Sequence, residues 1–100
     1  MNAVATFIKS DPLVMFSKTY CPYCKMAKSA LQEVGATYKV YELDERADGD
    51  HLQDQLRSIT NISSVPQVFP NGTYLSDGSG TKALKESGEL EKILRDANLL

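Results

Sequence analysis

The sequence predicts an α/β fold in which a small mixed sheet is covered by helices, and three observations carry that prediction. A continuous apolar run at residues 13–16 is followed by a helical pattern from Tyr23 to Val34 and then by a β-rich segment at 38–43. A strand–helix–strand start implies parallel strands joined by a right-handed crossover. Two more short β-rich pieces, at 67–69 and 73–75, flank Pro70-Asn71-Gly72, and Asn-Gly is a strong hairpin signal that adds antiparallel strands. The predicted order is α-β-α-β-α-β-β-α, with four strands.

Each element has its own reason. Val4, Phe7 and Ile8 lie at helical spacing ahead of Pro12, so residues 3–9 read as a first helix. Leu13-Val14-Met15-Phe16 offers no polar face, as a strand covered on both sides requires. From Pro22, apolar types recur at Tyr23, Met26, Ala27, Ala30, Leu31 and Val34, the single stripe of an amphipathic helix, and Gly35 closes it. Tyr38-Lys39-Val40-Tyr41-Glu42-Leu43 is rich in β-formers. Asp48-Gly49-Asp50 then opens a helix expected to bury Leu52, Leu56 and Ile59. Pro70 must sit at a strand end, where its missing N–H does no harm. In the tail, Leu84 precedes a Ser87-Gly88 break, after which Leu90, Ile93, Leu94 and Ala97 mark the inner face of a last helix.

Composition bounds the function. One hundred residues, 42% apolar and 24% charged, fit one domain over 1–100, without repeats or linkers. A net charge of −2 leaves no basic excess for a phosphate backbone, so nucleic acid is not an expected partner. No apolar run approaches the roughly 20 residues that span a bilayer, and the first residues lack the basic start of a secretory signal. With only two cysteines, spaced three apart, the expected setting is the reducing cytoplasm. No apolar patch demands a dimer, so a monomer is expected. His51 lacks a catalytic companion and reads as a surface histidine. The acidic run Glu42, Asp44, Glu45, Asp48 and Asp50 reads as a solvated loop and helix start. Lys25 and Lys28 could attract anions to the site, although an exposed helix face accounts for them equally well.

The strongest chemical signal is Tyr20-Cys21-Pro22-Tyr23-Cys24, between the first buried strand and a well-patterned helix. A structural zinc site needs four ligands, and two cysteines with one distant His51 do not supply them, so no metal is expected. An inert buried thiol pair is a second reading, because free cysteine packs as a small hydrophobe. A redox dithiol is the third, and the strand-to-helix context favours it. Pro22 suits the first helical position, which puts Cys21 at the N-cap, beside unpaired N–H groups and the positive end of the helix dipole. That position and the nearby Lys18 favour the thiolate, the nucleophilic form. Cys24, one turn on, is expected to be less exposed and close enough to form a disulfide with Cys21.

The segment Lys18-Thr19-Tyr20-Cys21-Pro22-Tyr23-Cys24 resembles the active-site segment of dithiol glutaredoxins. The likeness runs through Gln53, Ser64-Val65-Pro66 and Ser87-Gly88-Glu89-Leu90, nearly the whole chain. The resemblance implies a thioredoxin-like fold, with a four-stranded mixed sheet flanked by about five helices. It also implies glutathione as co-substrate and the reduction of protein disulfides and glutathione mixed disulfides. In the resemblance, Cys21 attacks and Cys24 resolves. Lys18 and Gln53 hold the glycyl carboxylate of glutathione, and Tyr23 lines the site. Ser64 and Val65 precede a cis Pro66, with the Val65 backbone pairing to the glutathione cysteine.

One stretch departs from that pattern. The family usually places two glycines after its last strand and an acidic residue three positions beyond them. Here the string reads Ser76-Asp77-Gly78-Ser79-Gly80. Asp77 is the expected replacement carboxylate, and Gly78, Ser79 and Thr81 are the expected helix start for the γ-glutamyl end. A different class of function is an iron–sulfur carrier, with a [2Fe–2S] cluster bridging two chains. Pro22 weighs against it, because family members that hold clusters well usually carry Ser or Gly there.

Overall fold

The computed structural model describes residues 3–100, so Met1 and Asn2 lie outside it. The chain runs through helix α1 (Ala3–Ser10), strand β1 (Leu13–Ser17), helix α2 (Pro22–Glu33), strand β2 (Lys39–Glu42) and a 3-10 turn at Leu43–Glu45. It continues through helix α3 (Gly49–Thr60), strand β3 (Gln67–Pro70), helix α4 (Gly78–Ser87) and helix α5 (Glu89–Asp96). β1 is the middle strand. It pairs in parallel with β2, from Val14↔Lys39 to Ser17↔Glu42, and antiparallel with β3, from Leu13↔Pro70 to Phe16↔Gln67. Flanked on both edges and covered on both faces, all five residues of β1 are buried: Leu13–Phe16 as the unbroken apolar run predicts, and Ser17 beyond it.

Strand alternation divides the core. Leu13 and Met15 point to one face and pack with Cys24, Ala27, Ala30 and Leu31 of α2 and with Leu90 and Leu94 of α5. Val14 and Phe16 point to the other and meet Val4 and Ile8 of α1 and Leu52 and Leu56 of α3. At about 25 cal/mol per Å² of apolar surface, each of the larger of these side chains (Val, Leu, Ile, Phe and Met) contributes roughly 1.5–3 kcal/mol, which fixes the sheet as a rigid floor for the loops above it.

The sheet has three strands rather than the expected four. The Asn-Gly turn does form: Asn71 and Gly72 take φ of +49° and +81°, and Thr73 N–H donates to the Pro70 carbonyl at 3.2 Å. The returning chain makes only one bridge, Val68↔Ser76. Leu75 N–H donates to the Val68 carbonyl while Val68 N–H donates to the Ser76 carbonyl, so two residues face one and the ladder is bulged. Helix α4 begins two residues later. Residues 73–75 therefore form a bulged return, not a strand. Helix α4 itself had no separate place in the element order read from sequence, because its first turn is Gly78-Ser79-Gly80 and its buried positions include Gly78 and Thr81. Ile59, expected inward with Leu52 and Leu56, lies in the last turn of α3 near the left-handed Asn61 and stays 42% exposed.

Candidate active site

Cys21 sits where the sequence places it, as N-cap of α2, with Pro22 opening the helix. Its backbone is extended, at φ −87° and ψ 116°, so its side chain turns back over the first helical turn. Cys24 N–H donates to Cys21 Sγ at 3.2 Å, and Lys25 N–H donates to the Cys21 carbonyl at 3.1 Å. On its other side, Cys21 Sγ lies 3.8 Å from the Val65 carbonyl. Sulfur is here the acceptor for a helix-end amide that an oxygen normally satisfies.

Cys24 is different. It is fully buried, and burial pushes its thiol up to about 11, with the hydrogen bond to Cys21 adding to the rise. The Ser17 hydroxyl and the Lys18 backbone N–H pull the other way. Both cysteines are free thiols. One is a partly exposed thiol on a helix end, the other a buried thiol one turn below.

A groove of about 320 Å³ runs beside them, lined by Tyr23, Ser64, Val65, Pro66, Asp77, Gly78 and Ser79. These positions lie up to 56 residues apart in the chain, and three elements bring them together. α2 supplies Tyr23, which is 57% exposed; the loop before β3 supplies Ser64 and the cis Val65–Pro66 peptide; α4 supplies the rest. α4 approaches so closely that a Cβ on Gly78 would stand 2.3 Å from the Tyr23 carbonyl oxygen. Any side chain there forces the two helices apart.

Lys18 and Gln53 are not on this wall. Lys18 lies in the turn ahead of Cys21, where its carbonyl accepts from Cys21 N–H. Gln53, on α3, donates from Nε2 to the Ser63 carbonyl at 2.5 Å, which fixes the loop leading to Ser64. Asp77 is the N-cap of α4: Oδ1 accepts from Gly80 N–H at 2.7 Å and lies 3.4 Å from Ser79 Oγ. Thr81 does not present its hydroxyl to the groove. It is buried, and bonds to Ser76 Oγ and the Asp77 carbonyl. That corrects the expectation of Thr81 at the ligand site and leaves Gly78 and Ser79 as the first-turn residues facing it. His51 is exposed, with Gln55 as its neighbour at 2.9 Å. Among the described residues no three His, Cys, Asp or Glu side chains gather as a metal site.

Sequence reasoning missed two residues that hold the site. Asp44, read as part of a solvated acidic run, accepts from the backbone N–H of Thr19 at 2.9 Å and from its hydroxyl. Those bonds, with Lys18 nearby, hold its carboxyl below the usual range and fasten the turn that delivers Cys21. Ser17, the last residue of β1, is buried beneath Cys24. Ser17 had one available signal, its place two residues after Met15 on the face that covers α2. Asp44 had none, since the contact spans 25 residues.

The glutaredoxin family model matches residues 13–75, from the start of β1 through the bulged return. The chain belongs to the glutaredoxin family. As a glutaredoxin it is an oxidoreductase with a thioredoxin-like fold. It is 49% identical over 87 residues to glutaredoxin-C4 of Arabidopsis thaliana, covering 87% of this chain and 64% of that protein. Oxidised glutaredoxin 2 of Chlamydomonas reinhardtii superposes with a TM-score of 0.91 at 46% identity, covering 99% of this chain and 94% of its own. A buckwheat glutaredoxin–glutathione complex superposes with a TM-score of 0.90 at 34% identity, covering 98% and 89%. No helix among the described residues is long and apolar enough to cross a membrane.

Proposed function

We propose that this glutaredoxin is a glutathione-dependent thiol–disulfide oxidoreductase acting on glutathionylated and disulfide-bonded proteins in the cytoplasm. The observation that carries the reading is Cys21 Sγ at a helix N-terminus, accepting from Cys24 N–H and lying 3.8 Å from the carbonyl of Val65, which lines a groove walled by the cis-proline loop and α4. The relative solved with glutathione bound supports glutathione as the co-substrate.

In the monothiol route, the Cys21 thiolate attacks the glutathione sulfur of a protein–glutathione disulfide. A Cys21–glutathione disulfide forms and the protein leaves as a thiolate, which takes up a proton. A second glutathione thiolate then attacks the bound glutathione sulfur, giving oxidised glutathione and regenerating Cys21. In the dithiol route the first mixed disulfide is with a protein sulfur, Cys24 displaces it, and two glutathiones reduce the resulting Cys21–Cys24 disulfide. Val65 offers backbone groups to the glutathione cysteine, Tyr23 and Pro66 flank it, and Ser64, Gly78 and Ser79 offer polar contacts beyond. Asp77 provides the negative charge facing the γ-glutamyl ammonium in place of the family's usual acidic residue. Lys18, in the turn ahead of Cys21, and Gln53, on α3, hold the glycyl carboxylate from outside that groove. Pro22, with its φ fixed at the first helical position, favours this dithiol chemistry over a cluster-bridged dimer.

The test is reduction of a glutathione mixed disulfide, coupled to glutathione reductase and NADPH, in wild type and Cys24→Ser. Turnover in both, within about threefold, is expected from the monothiol route. No turnover in wild type while Cys21 still reacts with an alkylating agent would show that the altered Ser76–Gly80 stretch has changed the co-substrate.

A further inference from the structure

Beneath the two thiols, a ring of polar side chains interrupts the apolar layer between the sheet and α2. Alternate residues of β1 face α2: Leu13 and Met15 pack against Cys24 and its neighbours, and Ser17 continues that face, fully buried, with its hydroxyl donating to the Lys18 carbonyl at 3.4 Å. Glu42 is opposite Ser17 in the parallel ladder, so it points to the same side. Lys28 is four residues beyond Cys24, on the same face of α2. Its Nζ closes the ring by donating to Glu42 Oε2 at 2.8 Å, with both side chains largely covered. The other carboxylate oxygen, Oε1, is buried with no partner among the described residues.

An ion pair with an unpartnered buried oxygen is not an efficient structural device. Two apolar residues of similar volume would hold α2 to β2 at least as well. The ring instead places a fixed positive charge one helical turn from the sulfur that must become an anion to resolve the mixed disulfide. We propose that Lys28, oriented by Glu42, is a positioning residue for the resolving step, its ammonium steadying the Cys24 thiolate as that thiolate attacks Cys21. Burial works against the Lys28 charge, yet the Glu42 hydrogen bond and charge, joined by Cys24 and Tyr38, leave its ammonium more firmly held than usual.

The step balances simply. A new bond forms between Cys24 and Cys21 sulfurs, and the bond from Cys21 to the substrate sulfur breaks. The substrate departs as a thiolate with the electron pair and takes up, through solvent, the proton that Cys24 released. The dithiol is oxidised and the substrate disulfide reduced. Lys28 has no part in the monothiol route, where Cys24 does not react.

The inference rests on the dithiol chemistry proposed above, and the test separates the two. Reduction of a protein disulfide and of a glutathione mixed disulfide is compared in wild type, Lys28→Met, Lys28→Arg and Glu42→Gln. Lys28→Met is expected to slow protein-disulfide reduction about tenfold and to leave mixed-disulfide reduction within twofold, which also shows that it folds. Lys28→Arg is expected to restore the rate to within threefold. Glu42→Gln removes the opposing negative charge while keeping a hydrogen-bond acceptor, so it is expected to quicken protein-disulfide reduction. The proposal is overturned if Lys28→Met lowers both activities alike or neither, or if both variants shift protein-disulfide reduction in the same direction. Wild type reducing neither substrate would overturn the functional reading itself, and this inference with it.

Discussion

Two helix N-termini meet at the groove, and they solve the same problem with different atoms. Each must satisfy amide groups that have no carbonyl one turn back. At α2 the acceptor is a sulfur, Cys21 Sγ taking Cys24 N–H at 3.2 Å; at α4 it is a carboxylate, Asp77 Oδ1 taking Gly80 N–H at 2.7 Å. The carboxylate makes the shorter, stronger bond. The sulfur makes a longer, weaker one, at the thiol proposed to attack the substrate disulfide. The same local device thus holds a carboxylate at one helix end and a thiol at the other, and the capping atom sets what each end can do.

The largest effect expected from this comparison comes from making the two caps alike. Cys21→Asp keeps an acceptor at the α2 terminus, so the melting temperature should stay within a few degrees of wild type. Mixed-disulfide turnover should fall at least about a thousandfold, to the uncatalysed level, because no group remains to form the covalent intermediate. Residual enzymatic turnover in the coupled assay would contradict Cys21 as the nucleophile.

At the other helix, Asp77→Ala removes the cap and should cost about 1 kcal/mol. In a domain of this size that lowers the melting temperature by roughly 4–8 °C. Asp77→Asn retains the acceptor and should recover most of the loss. Both variants should raise the KM for glutathione at least threefold, because the charge proposed to face the γ-glutamyl ammonium is gone. An unchanged KM in both would show that Asp77 only caps the helix.

The smallest effect concerns the buried partner thiol. Folded Cys24 holds its proton to about 11, above the reference value of 9.0, so the folded state binds more protons than the unfolded state between those values. Stability of the reduced protein on this account is full below about pH 9 and falls as pH rises towards 11. Urea midpoints of the reduced protein across that range should decline in wild type and decline less in Cys24→Ser. Parallel curves would mean that Cys24 does not govern the loss.

The core elements were legible because their patterns are local. Residues 13–16 and the stripe from Tyr23 to Leu31 announce a buried strand and the helix over it, and Cys21-Pro22 announces that helix's cap. The fourth strand was not legible, since the Asn-Gly turn that suggests it is present and a bulge of Leu75 and Ser76 opposite Val68 is what stops the ladder. The hold of Asp44 on Thr19, the Lys28–Glu42 pair under Cys24 and the withdrawal of Thr81 from the groove likewise depend on which segments pack together.

By itself the sequence determined the α/β class, the dithiol and the N-cap place of Cys21, because spacing, a proline and a cap act within one turn of chain. Only the tertiary structure decided which charges face those thiols. Such contacts join residues 14, 25 or more than 50 positions apart, as in Lys28–Glu42, Thr19–Asp44 and the meeting of Tyr23 with Gly78. No local pattern encodes them, because their energy comes from burial and close approach after the sheet has brought the loops to one edge.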